Sequence, residues 1–206
     1  MHERRLLLRR LGLLPALAGL PLLGSAAWRS GHDSSPEPGA EALPDDVCIV
    51  APPLAWQPGS SLPLLAARPI PAQARCPVCG MFPARQPRWA AQLIFADGRA
   101  HFLDSPLSLF LYLQRVERYA PGYHRADVAA LYVSDYQAGS WLDARQAFYI
   151  AGSALHGPMR GGNLPAVASQ AAAQQLVLEV GGQPLRYAEL RQALPEALQR
   201  LAPHRH

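Results

Sequence analysis

The segment "RCPVCGMFPAR", residues 75–85, holds two thiols, a thioether, one glycine and two prolines. Four chemistries compete for it. A redox pair would use Cys76 and Cys79 at the start of a helix, where amide dipoles lower a thiol pKa. Gly80 and Pro83 follow too closely for a long helix to begin at Cys79. Structural zinc takes four Cys and His ligands, commonly as two spaced pairs, but no second close pair exists, and His101, His124 and His156 stand alone. A tight disulfide between Cys76 and Cys79 is the third reading. The fourth starts from sulfur that is not core filler. Beyond the initiator the only methionines are Met81, directly after Cys79-Gly80, and Met159, in the turn "HGPMRGG". A thiolate and a thioether two residues apart suit a soft, low-coordinate ion, above all Cu(I). Gly80 between them lets the backbone turn so that both sulfurs face one ion. The oxygen clusters that hold Ca²⁺ or Mg²⁺ are missing. His156 lies three residues before Met159 and could reach a metal, although a surface turn histidine is the plainer reading.

The elements around these residues follow a repeated order. "WAAQLIFA" and "RAHFLD" read as strands joined by an Asp-Gly turn. Asp104 or Ser105 then caps a helix "PLSLFLYLQRVERYA", Pro121-Gly122 stops it, and "VAALYVSDY" is a third strand. In the second half "QAFYIAGSAL" and "LPAVA" read as strands, Ser169 caps "QAAAQQLVLEV", Gly181-Gly182 ends that helix, and "QPLRY" precedes a last helix "AELRQALPEALQRL". The expected fold class is α+β, two tandem β-β-α-β units with antiparallel sheets, over 75–136 and 137–201, with a tail at 202–206. In "RAHFLD", strand alternation turns His101 away from Ala100 and Phe102, toward solvent.

Residues 28–74 are rich in Pro, Ala and Ser and read as a mobile linker. Residues 1–27 read as an export signal: a charged start, the apolar run "LGLLPALAGLPLL" and small residues after it. "RRLLLR" resembles a twin-arginine signal. Prolines and glycines interrupt the apolar run, where about 20 unbroken apolar residues span a bilayer, so cleavage is favoured over an uncleaved anchor. All 19 basic residues are arginine, and removing residues 1–27 takes away four of them and one acid, leaving 15 against 14. The formal charge of +4 therefore sits mostly in the leader, and no polybasic patch for nucleic acid remains. Cys48 reads as a small hydrophobe beside Val47 and Ile49.

The blocks "CPVCGMFPARQPRWAAQLIFADG", "LYVSDYQAGSWLDARQAFYIAGSALHGPM" and "NLPAVAS" closely resemble the nitrous oxide reductase accessory protein family, NosL, over about residues 75–190. The resemblance implies an exported, periplasmic Cu(I) chaperone without catalytic turnover, which serves nitrous oxide reductase or its copper-delivery machinery. It implies the tandem β-β-α-β fold as well. Cys79 and Met81 match the core of the family's Cys-Gly-Met ligand motif, and Met159, in the Gly-Pro-Met segment, is the implied third ligand. Many members carry another residue at the position of Cys76, so Cys76 and His156 are secondary candidates. Members are often lipoproteins, but no cysteine follows the apolar run here, which implies a soluble form, or a membrane attachment only through an uncleaved leader. A homodimer around copper is left open. The alternatives are a periplasmic thiol-disulfide oxidoreductase using Cys76 and Cys79, and an interaction module in which they are merely a disulfide. Asp135, Asp143 and Arg145 lack a nucleophile beside them and read as fold-holding polar groups. Trp89 and Trp141 read as core or rim packing, and His204 and His206 as tail.

Overall fold

The computed structural model describes residues 51–200. The expected export signal at 1–27, Cys48, His204 and His206 lie outside them. Strand β1 (Ala91–Phe95) and strand β2 (Ala100–Leu103) form an antiparallel hairpin with Ala91 opposite Leu103 and Ile94 opposite Ala100. Their four-residue connection, Ala96 to Arg99, closes with Phe95 N–H on the Arg99 carbonyl and Gly98 N–H on the Phe95 carbonyl, both 2.8 Å. Gly98 takes φ +83°, the left-handed position that this turn requires.

Helix α1 (Pro106–Gln114) starts at Ser105, whose hydroxyl accepts the Ser108 N–H, with Pro106 in the first turn. Its residues 106–113 are all buried, so α1 is apolar on every side. The helix expected to run on to Ala120 breaks at Arg115, where φ is −146°, and resumes as α2 (Val116–Tyr119). The break leaves Arg115 and Glu117 in solvent while Val116 returns to the core. Strand β3 (Val128–Ser134) pairs antiparallel with β1, and β4 (Trp141–Asp143) pairs with β3, giving the order β2-β1-β3-β4. The short β4 was not anticipated, and it joins the first sheet although it lies past the expected 136/137 boundary.

The second unit repeats the plan. Strands β5 (Phe148–Ala151) and β6 (Ala166–Val167) precede α3 (Gln170–Val180), capped by Ser169, and β7 (Gln183–Arg186) follows in the order β6-β5-β7. In each unit the first strand is central, flanked by the second and the third. The tandem β-β-α-β reading is borne out. The last helix is split into α4 (Tyr187–Gln192) and α5 (Glu196–Gln199), because Pro195 lacks the amide that continuation needs.

Tyr136 N–H bonds the Ala166 carbonyl at 2.8 Å, joining the sheets. One core runs through both units, from Leu93, Leu103 and Phe110 to Tyr149, Leu164 and Leu190. Phe110 meets Tyr149 edge-on with centroids 5.2 Å apart. Trp89 is buried edge-on against Tyr136, as packing predicts.

Two expectations are corrected. The described part of the linker, 51–74, is docked on the first sheet. Leu54 exchanges backbone hydrogen bonds of 2.8 and 2.9 Å with Ala100, Arg68 N–H bonds the Gln92 side-chain oxygen at 2.9 Å, and Tyr132 donates to the Leu65 carbonyl at 2.8 Å. The reason is the outer face of that sheet, where Ile94, Ala100, Phe102 and Ala130 need cover, which Leu54 and Ile70 supply. His101 is likewise buried, at 2% exposure, because α1 covers the opposite face. Its Nδ1 lies 2.8 Å from the Tyr112 hydroxyl. Burial pulls its pKa from 6.5 to about 4; the carbonyls of Ala51 and Pro52 favour the proton, yet neither completes a hydrogen bond to Nε2.

His101 thus stays neutral in the folded protein at pH values where the unfolded chain takes up a proton. Stability falls as pH drops from 6.5 toward about 4 and levels off below that. His101→Gln should remove a loss of about 3 kcal/mol across this window, read as the difference between parent and variant in urea melts at pH 7 and pH 4. A Cβ on Gly98 would stand 2.2 Å from Leu64 Cδ1 and 3.1 Å from Trp56 Cβ, on a residue with positive φ. Gly98→Ala should therefore cost about 1–3 kcal/mol and raise proteolysis within 51–74.

Candidate metal centre

Residues 76–81 form a closed loop. Gly80 N–H bonds the Cys76 carbonyl and Cys76 N–H bonds the Met81 carbonyl, both at 2.8 Å. Gly80, at φ +75°, makes the reversal that brings the chain back on itself. Arg75 donates to the Gly80 carbonyl at 3.3 Å, and the guanidinium groups of Arg75 and Arg85 lie 4.2 and 4.5 Å from the Phe82 ring centre. All three sulfur-bearing residues, Cys76, Cys79 and Met81, therefore share one pinned loop.

Cys76 and Cys79 are free thiols, Cys76 fully buried and Cys79 half-buried. The loop packs over the β2–α1 junction, where Asp104 is buried. Ser105 takes the capping role, which leaves Asp104 free to turn inward. The Cys76 thiol donates to Asp104 Oδ1 at 3.2 Å. One ligand atom each from Cys76, Cys79 and Asp104 fall within 4.8 Å of one another, the one such metal-competent group among the described residues.

Burial pushes the Cys76 thiol well above its ordinary pKa; its hydrogen bond with Cys79 and the negative charge of Asp104 act in the same direction. Asp104 Oδ2 is buried with no hydrogen-bond partner, a desolvation cost of about 1–3 kcal/mol or more that a cation at this point would offset. Tyr119, also pushed up chiefly by burial, stacks on Tyr112 with centroids 5.2 Å apart, and the Tyr112 hydroxyl in turn meets His101.

Met81 is 36% exposed at the outer edge of the loop. Met159 is 46% exposed on the 156–162 turn, which is closed by Gly157 N–H on the Gly161 carbonyl at 2.9 Å and by pairing of His156 with Gly162. That turn is tied to the start of α1, because buried Asn163 accepts the Leu107 N–H at 3.3 Å. Asp104, which faces Cys76, lies three residues before Leu107, so the Met159 turn docks on the helix start that supplies the carboxylate. His156 is exposed and does not join the cluster. The structure therefore brings Cys76, a secondary candidate, directly to Cys79, and adds Asp104, which sequence reasoning treated as a cap. The signal was "DSP": serine before proline is itself a sufficient cap, which frees the preceding aspartate. Asp135 and Asp143 hold turns, accepting backbone N–H groups from Gln137, Ala138 and Arg145 at 2.8–3.0 Å, as expected of fold-holding groups.

A thiol pair with a carboxylate beside it, and a thioether on the same loop, can exchange protons for a soft cation. No helix starts at Cys79, so the dipole that activates a redox thiol is missing from this loop.

No curated protein matches the chain. The NosL family model matches residues 67–195. Among solved structures the chain is similar to one described as the copper chaperone NosL from Shewanella denitrificans, at 22% identity and a TM-score of 0.51, over 62% of this chain and 96% of that one. The likeness is one of fold. With the family model covering well over half of its length, the chain belongs to the NosL family.

Proposed function

We propose that this protein is an exported, periplasmic Cu(I) chaperone that hands its ion to nitrous oxide reductase or to the machinery that loads it. The observation that carries the reading is the convergence of two reduced thiols, Cys76 and Cys79, on the Met81 loop. Sulfur donors on an edge loop favour a soft monovalent ion. Zinc would want a fourth nitrogen, sulfur or oxygen ligand, and the nearest thioether is a poor one for it. The printed description of the Shewanella denitrificans structure as a copper chaperone supports the same choice.

In this reading copper is cargo. Cys79 and Met81 form the accessible half of the seat, Cys76 the buried half, and Met159 closes from the neighbouring turn. Binding displaces the proton that burial and Asp104 hold on Cys76, so uptake releases acid and tightens as pH rises. Release follows by stepwise exchange. A partner's ligand first replaces a weak, exposed thioether, and the thiolates yield last.

Anaerobic titration with Cu(I) against a chromophoric chelator should give one tightly held ion per chain. Met81→Ala should weaken it about tenfold and Cys79→Ser at least about a hundredfold, roughly 1.4 and 2.7 kcal/mol. Copper held by Met81→Ala as tightly as by the parent would remove Met81 from the ligand set. Burial is the main reason that Cys76 keeps its proton and the Asp104 charge adds to it, so in Asp104→Asn the Cys76 thiolate should appear at lower pH when its ultraviolet absorbance is followed in a pH titration.

A further inference from the structure

The same loop supports a second reaction, which rests on the copper reading only for its consequence. Cys76 and Cys79 are three residues apart in a turn closed by Gly80 N–H on the Cys76 carbonyl, both are reduced, and their Sγ atoms lie within 4.8 Å. Closing a disulfide brings the two sulfurs from within 4.8 Å to about 2.05 Å. The two thiols are also unequal. Cys79 is half-buried and reachable from solvent, whereas Cys76 is 0% exposed with Asp104 beside it.

We propose that Cys76 and Cys79 are a reversible oxidation site, closed into a disulfide by exchange with a low-molecular-weight disulfide, and that closure and copper occupancy exclude each other. Exchange begins at Cys79, which, as a thiolate whose proton has gone to water, attacks one sulfur of the oxidant. The oxidant's S–S bond breaks, one thiolate leaves, and Cys79 is held in a mixed disulfide. Cys76 then passes its proton to the Asp104 carboxylate, 3.2 Å away, and attacks Cys79 Sγ. The mixed bond breaks and the second thiolate leaves. Two protein thiols are oxidised by two electrons, one external disulfide is reduced to two thiols, and the released protons end on those products. The order of attack follows from access, since an oxidant reaches Cys79 and not Cys76.

The consequence is a gate. A disulfide offers a soft cation neither of the two thiolates that hold it. Conversely, Cu(I) shared by both sulfurs ties up the nucleophile and its resolving partner. An empty carrier in an oxidising compartment closes, and a loaded one is protected.

The test uses the full chain with Cys48→Ser, so that Cys76 and Cys79 are its only thiols. Reduced protein is incubated with oxidised glutathione, with or without prior loading by one equivalent of Cu(I), and free thiols are counted by alkylation and intact mass. Without copper, both thiols should vanish together in a monomer that keeps no glutathione. With copper, the loss should slow at least about tenfold, and the oxidised form should bind Cu(I) at least about a hundredfold more weakly than the reduced form. Cys76→Ser in the same background should stop at a glutathione adduct on Cys79. Thiols that persist, disulfides formed only between chains, or equal Cu(I) affinity in the two redox forms would overturn the gate. Should the disulfide form while the reduced protein ignores Cu(I), the copper reading falls and the exclusion between closure and metal falls with it, whereas the oxidation site stands.

Discussion

Everything at the metal centre depends on how a six-residue loop is seated over the β2–α1 junction. Two backbone hydrogen bonds of 2.8 Å close residues 76–81 on themselves, and packing against the first sheet buries Cys76 beside Asp104. Those bonds restrict the backbone of the loop and keep the Cys76 and Cys79 side chains close together. The cost is a buried carboxylate with one unpartnered oxygen and a thiol held in its protonated form. Such an arrangement is poor as a stabilising contact and suited to a site that trades protons for a cation. The rest of the molecule is built to hold that junction still. Helix α1 is buried on every side, β1 is buried on both faces, and the segment 51–74 covers what the first sheet would otherwise expose.

Much of this was legible in the residues. Alternation, the Asp-Gly turn, Ser105 before Pro106, and Ser169 with Gly181 at the two ends of α3 place most elements near where they occur, because each signal reports a local requirement on backbone geometry or capping. The repeated order of strands and helices carries over to identical strand order around each central strand. What local signals do not carry is cover. His101 alternates as expected, but alternation cannot say that both faces of β2 are buried. The Pro-rich segment reads as a tether by composition, yet two of its apolar residues, Leu54 and Ile70, find an apolar sheet face that exists only after the hairpin forms.

The site was legible in part for the same reason. Cys79, Met81 and Gly80 stand together in sequence and on one loop. Asp104 lies 28 residues from Cys76 and meets it only through the packing of the loop on the β2–α1 junction. Cys76, discounted by comparison with family members that lack it, is the more deeply buried of the two described thiols. Asn163, which follows the turn that carries Met159, bonds the start of α1, a long-range contact that no spacing rule announces. On the proposed function, the exposure of Met81 and Met159 would suit handover, since a donor at the surface is the one that an incoming ligand can displace first.

X-ray absorption at the copper edge, on protein loaded anaerobically with one equivalent of Cu(I), tests the central claim most directly. The account predicts a monovalent ion with a first shell of sulfur, reduced by one scatterer in Cys79→Ser. A shell made of nitrogen and oxygen, or one unchanged by that substitution, would contradict it.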